Sequence, residues 1–187
     1  MLKAVLFDMD GTITEPGIDW ARLRASVGVP PKMPIMEYVE RLSGADRARA
    51  EEQVRAVEME AVEGAVLNRG AAELLDQLRA RGLRLALVTN NHRRAMMQVV
   101  ETFSLNFDLL LCREDAPLKP APDLLLLAMR QFKLAPADCC FVGDGKYDRQ
   151  ASRAAGVRYI HLAHDGAAGD GEPTMGALGE LWRHLDV

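Results

Sequence analysis

The clearest chemical signal in the sequence is Asp8-Met9-Asp10-Gly11-Thr12. Two carboxylates two residues apart point the same way on an extended backbone. Both can therefore serve one reacting centre, and Gly11 lets the chain turn away without placing a side chain there. A calcium loop of the helix-loop-helix kind would need glycine where Ile13 stands and glutamate where Asp19 stands, and it would follow a helix. An ordinary Asp-Gly turn is the plain alternative. Three further positions weigh against it: Thr89, Lys119 before Pro120, and Asp144 with Asp148 four residues later. Each is weak alone, since Gly-Asp turns, solvated Lys-Pro loops and threonines at strand ends are common. Taken jointly in this order they are specific, provided the fold brings them to one place.

The elements that would do so are short, non-alternating apolar runs at 4–7, 83–88, 107–111, 139–142 and 157–162. This is the pattern of parallel strands covered on both faces. Helical spacing follows at 73–80, stopped by Gly82, and at 93–103, 123–132 and 149–155. Alternating strand and helix predicts an α/β fold, a Rossmann-like parallel sheet flanked by helices. Its ligands would lie beyond the carboxyl ends of the strands, where the candidate residues fall. The stretch 15–69 breaks the rhythm. It reads as a small α-helical insertion after the first strand, with helices at 20–27, 35–42 and 45–65 and a rigid turn at Pro30-Pro31-Lys32-Met33-Pro34. The expected organisation is a core of 1–14 with 70–187, and an inserted unit of 15–69. A Gly-rich loop at 165–176 precedes a last helix at about 177–185.

With these residues in place the chain resembles the haloacid dehalogenase-like superfamily. Its phosphatase members carry Asp-x-Asp-Gly-Thr, a Thr or Ser, a Lys, and Gly-Asp-x-x-x-Asp in this succession. Lys119-Pro120-Ala121-Pro122-Asp123 and the run from Gly143 through Asp148 to Gly156 resemble its helical-cap branch. The resemblance implies Asp8 as nucleophile and Asp10 as general acid and base, with Thr89 and Lys119 holding the phosphoryl oxygens. It implies magnesium (Mg2+) held by Asp8, the backbone carbonyl of Asp10, Asp144 and, directly or from the outer shell, Asp148. Segment 15–69 would be the cap, with Pro16 and Gly17 in its hinge, although a dimerisation appendage is the alternative. Ser43-Gly44-Ala45-Asp46-Arg47 resembles a specificity loop, which makes Arg47 a candidate substrate clamp. Asn90 is a further candidate for the phosphoryl group, and Asn91 or His92 a candidate cap for the next helix. Gly145 stands where many relatives carry a hydroxyl.

Physical chemistry agrees with that set. A carboxylate approaches a phosphate dianion only if cations neutralise both, and covalent attack divides one difficult displacement into two easier ones. The implied activity is a magnesium-dependent phosphatase acting on a small phosphorylated metabolite through an aspartyl phosphate. A phosphosugar mutase on the same core and a non-enzymatic phospho-acceptor domain are the alternatives. A dehalogenase needs neither Asp10 nor a metal site.

Composition narrows the partners. The 187 residues are 49% hydrophobic and 27% charged, with 23 basic against 27 acidic side chains and 5% aromatic residues, which disfavours disorder, coiled coil and a nucleic-acid groove. Cys112, Cys139 and Cys140 give neither a disulfide framework nor a zinc spacing. The apolar start at 2–7 is too short for a signal peptide, and no run suits a membrane span, so the expected location is cytoplasmic.

Overall fold

The computed structural model describes residues 1–164 and 171–185. In chain order the elements are β1 (Ala4–Phe7), α1 (Trp20–Val27), α2 (Ile35–Arg41), α3 (Gly44–Glu63), α4 (Ala71–Ala80), β2 (Arg84–Val88), α5 (Arg93–Thr102) and β3 (Leu109–Leu111). Then come α6 (Asp123–Phe132), a 3-10 turn at Pro136–Asp138, β4 (Cys139–Gly143), α7 (Lys146–Ala155), β5 (Arg158–Leu162), β6 (Thr174–Met175) and a 3-10 helix at Leu178–His184. The chain divides into two compact units, Met1–Pro16 with Ala65–Val187, and Gly17–Gly64. The second is narrower than the 15–69 read from sequence. The backbone of Glu15 donates to the Val66 carbonyl at 2.8 Å and Asn68 to that of Ile13 at 2.9 Å, which ties 65–69 to the larger unit.

The larger unit holds a six-stranded sheet in the order β3-β2-β1-β4-β5-β6, with every pairing parallel. This is the expected Rossmann-like α/β class. Ala4, Val5, Leu6 and Phe7 are fully buried, because helices cover both faces of a central parallel strand. On one face Ala4, Leu6, Ala86, Val88 and Phe141 pack against Leu124, Leu125 and Ala128 of α6 and against Ala151 of α7. The chain runs outward from β1 through β2 to β3, then returns to lay β4 on the other side of β1. That reversal opens a crevice at the carboxyl ends of β1 and β4.

The sequence reading errs at the ends of elements. β3 begins at Leu109 rather than 107, because the side chain of Asp108 takes the Leu85 N–H at 2.8 Å in place of a ladder bond. α7 starts at Lys146 rather than 149, with Asp148 in its first turn accepting the Gly145 N–H at 3.0 Å. The last helix is a 3-10 helix, with Gly176 just before it and Gly179 within it depressing helix propensity. β6 lies inside the stretch read as a loop. Two residues paired through His161 with Thr174 and Leu162 with Met175 are too few to show a period. Residues 165–170 of that expected loop lie outside the described residues.

In the smaller unit Leu23 of α1, Val39 of α2, and Ala50 and Val54 of α3 form a buried cluster with Ile18. The proline-rich turn is pinned by Arg24, whose guanidinium donates to the carbonyls of Met33 at 2.8 Å and Pro30 at 2.7 Å. Among the described residues no helix is long and apolar enough to cross a membrane.

Candidate active site

Asp8 follows β1, and its N–H still donates to Val142 of β4 at 2.9 Å, so its side chain emerges at the carboxyl edge of the sheet. The chain then tightens. The N–H groups of Thr12, Ile13 and Thr14 all reach the Met9 carbonyl, at 3.1, 2.9 and 3.0 Å. Gly11 sits at φ 78°, and a Cβ there would lie 2.0 Å from Asp144 Oδ2, so conformation and space both demand glycine. Asn68 holds the outside of this turn, donating to the carbonyls of Thr12 at 2.8 Å and Thr14 at 3.0 Å.

Thr89 follows the last residue of β2; it is buried, and its Oγ1 accepts the Asn91 N–H at 3.1 Å. Lys119 arrives from the loop after β3. Asn90 grips its backbone from both sides: Nδ2 donates to the Lys119 carbonyl at 2.8 Å, and Oδ1 accepts the Lys119 N–H at 2.9 Å. The ammonium donates to Asp8 Oδ1 at 2.6 Å, Asp148 Oδ1 at 2.7 Å and the Val88 carbonyl at 3.0 Å. β4 delivers Asp144 directly and Asp148 through the first turn of α7. A Cβ on Gly143 would lie 2.7 Å from the Asp148 side chain, so this glycine makes room for that carboxylate. Tyr159 of β5 secures the same turn by donating to the Gly143 carbonyl at 2.8 Å.

One carboxylate oxygen each from Asp8, Asp144 and Asp148 lie within 4.8 Å of one another. Hard oxygen donors at this spacing suit magnesium. The charges agree: three carboxylates share one ammonium, so the cluster stays acidic without a further cation. Burial raises the Asp8 pKa well above the usual carboxylate range; Asp148 and Asp144 raise it further, outweighing Lys119. Burial, then Asp148, pushes Asp144 up to about 6. Burial pulls Lys119 down, but Asp148 and Asp8 more than reverse this, and it stays protonated.

The fold thus brings Asp8, Asp144, Asp148, Lys119, Thr89, Asn90 and Asp10 to one end of the sheet. The side chain of Asp10 is engaged by Asn91, whose Nδ2 donates to Asp10 Oδ2 at 2.6 Å. The side chain of Asn90, a candidate for the phosphoryl group, is spent on the backbone of Lys119. Arg47 lies in the first turn of α3, with Nε 2.9 Å from Glu51 Oε1. His92 is the residue before α5 but makes no side-chain cap; Glu114 takes the Arg93 N–H at 3.0 Å instead. The parts played by Asn68, Tyr159 and His164, whose Nε2 is 2.5 Å from the Gly11 carbonyl, carried no signal in the sequence. Each depends on contacts between distant segments.

Known proteins bear on this geometry. The family model for haloacid dehalogenase-like hydrolases matches residues 2–156. Protein CbbY of Rhodobacter capsulatus is 31% identical over 90% of this chain and 88% of its own. A phosphoglycolate phosphatase of Escherichia coli O157:H7 is 32% identical over 81% of this chain and 62% of its own. The crystal structure of a subfamily IA hydrolase of this superfamily from Geobacter sulfurreducens superposes with a TM-score of 0.70 at 28% identity, covering 99% of this chain and 100% of that one. These likenesses place the chain in the haloacid dehalogenase-like hydrolase family, as a phosphoric monoester hydrolase.

Proposed function

We propose that the chain is a magnesium-dependent phosphatase of small phosphorylated metabolites, working through an aspartyl phosphate on Asp8. The observation that carries this reading is the buried ammonium of Lys119 set between Asp8 and Asp148 at 2.6 and 2.7 Å, with Asp144 beside them. Asp8 presents a carboxylate that can attack, and Lys119 lies where it can meet both nucleophile and phosphoryl oxygens. Thr89 and the backbone of Asn90 supply further donors. Magnesium held by Asp8, Asp144, Asp148 and the Asp10 carbonyl would supply the positive charge that lets carboxylate and phosphate dianion approach.

In the first step a carboxylate oxygen of Asp8 forms a bond to phosphorus while the ester P–O bond breaks, and Asp10 gives its proton to the leaving oxygen. In the second, Asp10 takes a proton from water as the water oxygen attacks phosphorus. The bond to Asp8 then breaks, releasing inorganic phosphate and restoring both side chains. The helical unit 17–64 serves as the cap that excludes water, with Arg47 as a clamp on the remote end of the substrate. Three cysteines present as buried free thiols support a reducing location, the cytoplasm.

Phosphate release measured over a panel of small phosphate esters, with phosphoglycolate included because a relative carries its name, tests the reading. Hydrolysis of at least one ester is expected, lost in chelator and restored by magnesium. Full activity in chelator would overturn the metal assignment, and acid-quenched label on a residue other than Asp8 would overturn the nucleophile.

A further inference from the structure

We propose that Asn91 is a positioning residue for Asp10, fixing the direction in which its carboxyl faces the reacting oxygen. The proposal rests on the reading of Asp10 as acid and base, and it concerns a residue whose sequence signal was at most that of a helix cap. Asn91 is 4% exposed and does not cap α5. Its amide Nδ2 crosses from the end of β2 to the turn after β1 and donates to Asp10 Oδ2 at 2.6 Å.

Asn91 itself is held at two backbone points. Its N–H donates to Thr89 Oγ1 at 3.1 Å, and its carbonyl accepts the Arg113 N–H at 3.3 Å. The donor is thus anchored to the same strand end that presents Thr89, while the carboxyl it orients sits two residues beyond Asp8. β1 and β2 are adjacent and in register, with Phe7 opposite Leu87, so the span between the two sites is set by the sheet. A side-chain carboxyl after a tight turn has two free torsions, and a buried amide donor removes that freedom before substrate arrives. Proton transfer needs heavy atoms within hydrogen-bond reach in the correct orientation, so losing this restraint slows the steps that use Asp10 and spares those that do not.

The test compares kcat/KM for an alkyl phosphate, whose basic leaving oxygen needs a proton, with that for an aryl phosphate, whose leaving oxygen does not. Asn91→Leu keeps the approximate volume and removes the donor. Its alkyl-to-aryl ratio should fall at least roughly tenfold, less than the roughly 10²–10⁴-fold that general acid catalysis contributes, because Asp10 itself remains. A ratio measured on one preparation does not depend on the fraction of active protein. The decisive arm repeats the substitution in an Asp10→Asn background, where the ratio should change by less than about twofold, because residues acting as a unit are not additive. An unchanged ratio in Asn91→Leu, or an equal fall in both backgrounds, would overturn the proposal. Asp10→Asn alone separates this from failure of the underlying reading: if that variant leaves the ratio unchanged, Asp10 is not the acid. Should Asn91→Leu not fold, Asn91→Ser replaces it with the same expected fall, since its hydroxyl is too short to span the gap.

Discussion

Lys119 at the end of the sheet is 4% exposed and divides its ammonium among Asp8, Asp148 and the Val88 carbonyl. Arg22, at the start of α1 in the helical unit, meets Glu60 of α3 at 3.1 Å, but both side chains are more than half exposed, at 63% and 61%. The two ion pairs look alike by distance and differ in what they can do. Water screens the second, so it contributes little to stability and holds no geometry that water could not replace. The first is taken out of water together with two more acids than it can neutralise, so each charge there alters the protonation and placement of the others. Chemistry is concentrated where charges are buried in unequal numbers, and the helical unit, Glu58 of α3 excepted, keeps its charged side chains exposed or half-buried around an apolar seam.

The strongest way to break that contrast is Asp8→Ala. Loss of a covalent nucleophile should lower turnover by roughly 10⁴-fold or more, with no acid-quenched phosphoenzyme. Turnover above about a hundredth of the wild type would show that the cluster works without its central carboxylate. Next comes Lys119→Met, which strands buried acids. Urea unfolding in chelator should show a loss of about 3–5 kcal/mol, whereas Arg22→Met should change stability by less than about 0.5 kcal/mol. Similar losses in the two variants would erase the distinction between the sites.

A third experiment sharpens the comparison through pH and metal. Asp8 and Asp144 have folded pKa values raised above the ordinary carboxylate value, Asp144 to about 6. A raised carboxyl binds more protons folded than unfolded. In chelator its stabilising share is therefore present below the unfolded pKa near 3.8 and is lost as pH rises through about 6. The chelated chain should melt at a lower temperature at pH 7 than at pH 5. Magnesium at a hundredfold excess over its dissociation constant should return about 2.7 kcal/mol at pH 7 and less at pH 5, where protons compete. Asp144→Ala should flatten both responses, and a melting temperature indifferent to magnesium would contradict the site.

Legibility followed locality. β1 could be read because its residues are buried on both faces, and Asp8 and Asp10 because they share one short run. Thr89, Lys119 and Asp144 could be read because a strand ends just before each, or before the loop that carries it, and strand ends in a parallel sheet converge. Asn90 and Asn91 mark the limit. Both were visible as candidates, but only χ angles and the register between β1, β2 and the β3 loop decide that one grips Lys119 and the other reaches Asp10. β6 escaped for a different reason: two residues held by neighbours rather than by their own pattern leave nothing periodic to find.

The smallest expected effect tests whether the surface charges of the helical unit have a part in chemistry at all. Arg47 pairs with Glu51 one turn along α3, and its pKa is raised mainly by that hydrogen bond. As a mere surface pair it would be dispensable for every substrate. As a clamp on the remote end of a metabolite it would act only on substrates that offer such an end, since binding energy from a distant group is used at the reacting centre. Arg47→Ala should leave the melting temperature unmoved and lower kcat/KM for the best metabolite by roughly tenfold, the size of one hydrogen bond to a charged group. A small aryl phosphate, with nothing to clamp, should be hydrolysed at nearly the wild-type rate. The Glu51→Gln variant controls for the pair, because it frees Arg47 without removing it and should not reproduce the loss. Equal losses on both substrates, or a loss in Glu51→Gln matching that in Arg47→Ala, would return Arg47 to the solvated surface of its helix and leave the chemistry wholly to the end of the sheet.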